Sequence, residues 1–139
     1  MAGSFSDYAE NKILDHLVGK TSWTMPTVYV ALCTSAPTDS STGATIVEPS
    51  TSGTAYARKS TAGADWEAAA SGANQNANAI TFATATGAGW GTITHFALVD
   101  SGTVGAGNML AWGSLTVSKA ISAGDTASFA AGDLDITLD

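Results

Sequence analysis

Residues 79–139 constrain the fold more than any other part of this chain. They contain short apolar segments, at 80–82, 93–99, 109–117, 127–129 and 134–138, separated by Gly, Ser, Thr and Asp. In several of them polar residues recur at every second position. That period sends one side chain into a core and the next toward solvent, which is the habit of a strand and not of a helix. No helical crossover lies between the segments, so they are expected to pair antiparallel. Ala106-Gly107-Asn108, Ser122-Ala123-Gly124-Asp125 and Gly132-Asp133 supply the turn chemistry between them. Gly113, inside the 109–117 segment, reads as a bulge or a point of close approach.

The first half is less regular. Residues 4–18 read as a helix, with Ser4 as its cap and Asp7 completing a capping box. Asp7 and Glu10 stand in the early turns, where the helix dipole favours acids. Phe5, Ala9, Ile13 and Leu17 form an apolar stripe flanked by Leu14 and Val18, and Gly19 supplies the stop. A helix this short has to pack on something, either its own β domain or a neighbouring subunit. Residues 27–33 form a strand that is apolar on both faces and therefore central. Residues 34–55 read as a long loop, with a short strand at 44–48. Residues 56–60 read as a strand carrying the Arg58-Lys59 pair at a sheet edge. Asp65-Trp66-Glu67 can pair nearby, residues 68–78 form a loop, and residues 87–91 turn around Trp90. The expected architecture is mainly β: about seven or eight strands in an antiparallel, jelly-roll-like β-sandwich with one short N-terminal α-helix. The expected division is a helical arm at 1–20 and a single β-sandwich domain at 21–139.

Composition narrows the function. Charged residues are 12% of the chain, against about 25% in a typical soluble domain. The formal net charge of −7 disfavours nucleic acid as a partner. No apolar run approaches the length of a membrane span, and the N-terminus lacks the basic and apolar regions of a signal peptide. Cys33 is the only cysteine. It lies in an apolar strand, where a thiol is buried and inert.

The candidate catalytic groups do not form a constellation. His16 falls in the last helical turn and His95 in a strand, neither at metal-site spacing. No local motif places a base beside a nucleophile. Asp133, Asp135 and Asp139 make an acidic corner, read as a solvated turn or a weak calcium site. Catalytic residues, cofactors and metals are therefore expected to be none. Aromatic and apolar side chains remain as candidates for an interface: Phe5, Ile13, Leu17, Trp23, Trp66 and Trp90. Trp112 reads as core. Trp90 reads either as a core plug or as a contact to a symmetry mate or glycan.

Several phrases, taken in order, carry a resemblance. They are Val28-Tyr29-Val30-Ala31-Leu32 followed by Thr34-Ser35-Ala36-Pro37; Gly53-Thr54-Ala55-Tyr56-Ala57-Arg58; Ile80-Thr81-Phe82; Trp90-Gly91-Thr92-Ile93-Thr94-His95-Phe96; Gly124-Asp125-Thr126; and Ile136-Thr137-Leu138. The chain resembles a family of small tailed-phage virion proteins, whose members are described as head or capsid decoration proteins or as tail fiber or minor tail proteins. The resemblance implies a non-enzymatic structural protein of the virion, assembled in the host cytoplasm. The implied partners are the major capsid protein or tail proteins, with a homo-oligomer, a trimer by preference, and neither nucleic acid nor membrane. The leading expectation is a capsid decoration or cement subunit that stabilises the head lattice. The alternative is a tail-associated structural module or one that binds host-surface glycan.

Overall fold

The computed structural model describes residues 3–138. Its elements are β1 (Gly3–Phe5), α1 (Asp7–Leu17), β2 (Tyr29–Cys33), β3 (Lys59–Ser60), β4 (Ala73–Gln75), β5 (Ile80–Thr84), β6 (Gly91–Val99), β7 (Met109–Ile121), β8 (Thr126–Phe129) and β9 (Asp135–Thr137). Every strand pair is antiparallel. Five strands form one sheet in the order β1-β7-β6-β2-β3, while β4–β9 and β5–β8 are separate two-stranded ribbons. The mainly-β class with one N-terminal helix holds. The expected two-sheet jelly roll gives way to three open sheets.

The reason lies in how the two faces of the main sheet are covered. On β2, Val30 and Leu32 face one core and Ala31 and Cys33 the other, and all four are buried. On β6, Phe96 and Leu98 face the first core and Ala97 and Val99 the second. The first core is closed by the β5–β8 ribbon: Ile80 and Phe82 are buried against it, and Phe129 meets Phe96 edge-on with ring centroids 6.4 Å apart. The second core is closed by the long loop, which brings in Ile46. A buried loop residue thus replaces part of the second sheet that a sandwich needs. The strand expected at 44–48 is instead a turn held by Thr42 and Thr45, with Thr34 N–H donating to the Val47 carbonyl at 2.9 Å.

The N-terminus also differs from expectation. Ser4 and Phe5 belong to β1, paired with Trp112 and Ala111 of β7, so Ser4 is not the helix cap. Ser6 is. Its Oγ accepts from Ala9 N–H at 3.2 Å and donates to the Met109 carbonyl, while its own N–H bonds Leu110 O at 3.0 Å. The cap thereby joins the helix start to β7. Gly19, at φ +73°, takes the left-handed conformation that ends the helix. Gly113 is in regular register, opposite Phe96 and Gly3. The irregularities of β7 flank it, opposite Leu98/Val99 and opposite Ile93/His95. The segment expected to be loop at 68–78 contains β4, which pairs with β9.

Candidate interaction surfaces

One buried arginine ties together the loops at one side of the main sheet. From Thr54 to Arg58 the chain alternates, with Thr54, Tyr56 and Arg58 buried and Ala55 and Ala57 exposed. Ala55 turns through a left-handed φ of +60°, and beyond it consecutive side chains from Tyr56 to Lys59 alternate between inside and outside, as they do along a strand. Arg58 and Lys59 therefore cannot share an edge: Lys59 is exposed on β3 and Arg58 is interior. This corrects the expectation of a basic pair at the sheet edge.

Arg58 Nε donates to Glu48 Oε1 at 3.0 Å, and Nη2 to Glu48 Oε2 at 2.7 Å. Nη2 also reaches Gly43 O at 2.6 Å, while Nη1 reaches Ser101 O and Ala106 O, each at 2.8 Å. These bonds occupy the full fork of guanidinium donors. Tyr56 Oη donates to Glu48 Oε1 at 2.7 Å and accepts from Leu32 N–H at 3.0 Å. The Arg58 and Glu48 side chains are 0% and 3% exposed. A buried ion pair is tolerated only when its hydrogen bonds are made, and here they are. Burial, reinforced by the Glu48 charge, pushes the Tyr56 phenol far above its ordinary value and keeps it a donor. Gly43 allows the approach: a β-carbon there would collide with the Ala106 carbonyl.

At α1 the arrangement is reversed. The stripe expected along the helix divides in two. Ala9 is fully buried, and Phe5 and Tyr8 pack against the first core. Ile13 is half-buried, while Leu14, Leu17 and Val18 are 57%, 76% and 74% exposed. The first turns of the helix pack on the core and its last turn does not. Trp23 N–H donates to His16 Nδ1 at 3.1 Å, which folds the following segment back along the helix end. Ile13, His16, Leu17, Trp23 and Met25 then line one shallow depression. Met25, 68% exposed, also lines a second depression with Val28, Thr61 and Trp66, where Trp66 Nε1 bonds Thr61 Oγ1 at 3.1 Å. The structure thus brings Ile13, Leu17, Trp23 and Trp66 to one continuous shoulder around Met25. From sequence, Leu14 and Val18 read as flanking the helical stripe and not as interface candidates, and Met25 is not singled out. The exposure of Leu14 and Val18 depends on which helix residues the core reaches, Ala9 and Tyr8 but not those two, and the helical stripe does not encode that.

Phe5 and Trp90 lie elsewhere. Phe5 is half-buried in β1. Trp90 is 3% exposed, packs edge-on against Tyr56 with centroids 5.3 Å apart, and donates Nε1–H to Thr54 O at 2.8 Å. Trp112, expected in the core, is half-buried, and its Nε1 reaches Asp39 Oδ1 at 2.9 Å.

The remaining titratable groups sit in ordinary structural settings. Burial pushes the Cys33 thiol up to about 12. Partial burial lowers the His95 pKa, and the ring rests beside Trp112 with centroids 5.9 Å apart. Asp65 is lowered, first by the Ala62 N–H and then by Asn78. Asp133 Oδ2 accepts from Ala130 N–H within its turn, and Asp139 lies outside the described residues. Among the described residues no three His, Cys, Asp or Glu side chains converge as a metal site, and no helix is long and apolar enough to cross a membrane.

The fold is a charge-poor, mainly-β module with a buried arginine–glutamate pair and an exposed apolar helix end. A family model described as "Podophage GP4 fiber I protein gp80" matches residues 4–137, and the chain belongs to this Gp80 family. A comparison with curated proteins gives no match. The family description agrees with the tail-fiber side of the resemblance and favours it over the capsid-cement reading.

Proposed function

We propose that the chain is a structural module of a phage tail fiber and docks on a neighbouring tail protein through the shoulder of α1 and Met25. The observation that carries this reading is that Leu17 and Met25, both more than half exposed, line one depression with half-buried Ile13 and Trp23, while Leu14 and Val18 are exposed on the same helix end. A contiguous apolar patch on a folded chain marks a contact surface. Removing it from water supplies about 25 cal/mol per Å² of apolar area, and the aromatic and Met side chains are of the kind enriched at interface centres.

In this reading the Arg58 network has a mechanical role. It fixes the 34–55 loop and the 100–108 hairpin to the sheet, so that load entering at the helix is passed to a rigid body. Copies of the chain, three in our reading, surround the fiber axis. The chain does no catalysis and binds no cofactor. Gold-labelled antibodies against the chain test the location: label at the tail of purified virions is expected, and label confined to the capsid surface overturns the reading.

A further inference from the structure

The second depression that Met25 lines carries more than apolar contact. Its volume is about 790 Å³, and Met25, Pro26 and Val28 give it an apolar wall. Asp65 and Trp66, consecutive in the chain, line it too. Asp65 closes a one-turn 3₁₀ helix, Gly63–Asp65. Its Oδ2 accepts from Ala62 N–H at 2.9 Å and its Oδ1 from Asn78 Nδ2 at 3.2 Å. A carboxylate has about four acceptor positions, so both oxygens keep capacity for a further donor. The Trp66 ring is fixed as well. Its Nε1 donates to Thr61 Oγ1 at 3.1 Å, and Thr61 Oγ1 donates to the Val28 carbonyl at 2.9 Å. Gly63 leaves the rim open, since a β-carbon there would meet no atom within 4 Å.

The Asp65 carboxylate is in no ion pair among the described residues. Arg58 is bound to Glu48 in the interior, and Lys59 on β3 pulls on Asp65 from outside ion-pair distance. An indole attracts a cation to its face, and a carboxylate accepts hydrogen bonds from one. Set side by side and held in place, the two suit a flat cation that stacks and donates at once. A guanidinium does both, whereas an ammonium is a compact point charge. The apolar wall matches the methylene stem that carries a guanidinium.

We propose that this depression receives an arginine side chain from a different protein of the tail, with its guanidinium over the Trp66 ring and hydrogen-bonded to the Asp65 carboxylate. The stem lies along Met25, Pro26 and Val28. A second copy of this chain is not the donor. The sequence holds a single arginine, Arg58, whose side chain is 0% exposed and whose donors are engaged within its own fold. The net charge of −7 draws a basic partner segment toward the chain. The inference rests on the docking reading above and names what the partner brings to it.

Competition during assembly tests it. Wild type and variant are co-expressed in infected cells, and their ratio in purified virions is read by mass spectrometry. Asp65→Asn keeps an acceptor for the Ala62 N–H and removes the charge. Asp133→Asn makes the same change in another turn, where Asp133 Oδ2 accepts from Ala130 N–H at 2.8 Å. We expect Asp65→Asn to be depleted at least about tenfold against wild type, and Asp133→Asn to be incorporated equally. With p-benzoylphenylalanine placed at Gly63, virions should yield a crosslink to an arginine-containing segment of a different tail protein. Equal depletion of the two Asn variants reports net charge alone and overturns the inference. Full incorporation of Asp65→Asn also overturns it, and is the result that a saccharide or a purely apolar contact gives. A crosslink to a segment without arginine overturns it even where Asp65→Asn weakens the fold. In each case the docking reading stands as long as Leu17→Ser, outside this depression, depletes the chain from virions. Virions that lack the wild-type chain sink both.

Discussion

The Arg58 network and the α1 shoulder use their side chains in opposite ways. Around Arg58, charged groups are taken out of water and every guanidinium donor finds an acceptor. Around Leu17 and Met25, apolar groups are left in water. The first region is complete within one chain; in the reading proposed above the second is completed by a partner. In a charge-poor protein, the difference separates side chains that the fold satisfies from side chains that it leaves in water.

Substitutions separate the two regions by their effect on stability. Arg58→Met leaves Glu48 buried without its cation, which should cost about 3–5 kcal/mol. Urea unfolding measures it, and a loss below about 1 kcal/mol would mean that the network is not a lock. Gly43→Ala drives a β-carbon into the Ala106 carbonyl and should cost about 1–3 kcal/mol, read as a lower urea midpoint at unchanged slope. The double substitution Leu17→Ser and Met25→Ser should change stability by only about 0.5 kcal/mol. It should nevertheless deplete the chain from purified virions, as quantified by mass spectrometry. Normal incorporation would remove the shoulder from the account.

The smallest effect is on pH dependence. The folded-state pKa of His95 lies below its unfolded value because the ring is partly desolvated. The unfolded chain therefore binds more protons as the pH falls through the ordinary histidine range, about 6.5, and native stability declines there. His95→Gln should flatten the fall in melting temperature between about pH 7.5 and pH 5. An identical profile in both proteins would show that the ring is solvated.

The two regions were also unequally legible in the sequence. Period-2 patterning located β5 and β8, which write one more-buried face into alternate residues, whereas β6 and β7 were legible as apolar segments, buried on both faces at Phe96–Val99 and Met109–Ala111. The helix was legible from its stripe, although its cap was misplaced. Ser4 and Ser6 both have capping chemistry, and only the pairing of β1 with β7 decides between them. Arg58 was misread because adjacency in sequence suggested a shared edge, whereas the alternation of Thr54, Tyr56 and Arg58 pointed inward. Glu48, its partner, stands ten residues away across Pro49 and a Ser/Thr/Gly-rich stretch, and no local pattern connects the two. The sandwich expectation failed at the 34–55 loop. Covering a sheet face needs apolar side chains, and Ile46 supplies one without strand geometry. The shoulder was visible only as separate residues, since its continuity depends on Met25 lying between the helix end and Trp66.

Cryo-EM of the intact virion tests the central claim most directly, because it shows where this fold sits and which surface it turns to its neighbours. The account expects density for the chain at the tail fibers, with Leu17, Val18 and Met25 covered by an adjacent protein and the Arg58 side facing no partner. Density on the capsid lattice, or at the fiber with the α1 shoulder open to solvent, would contradict it.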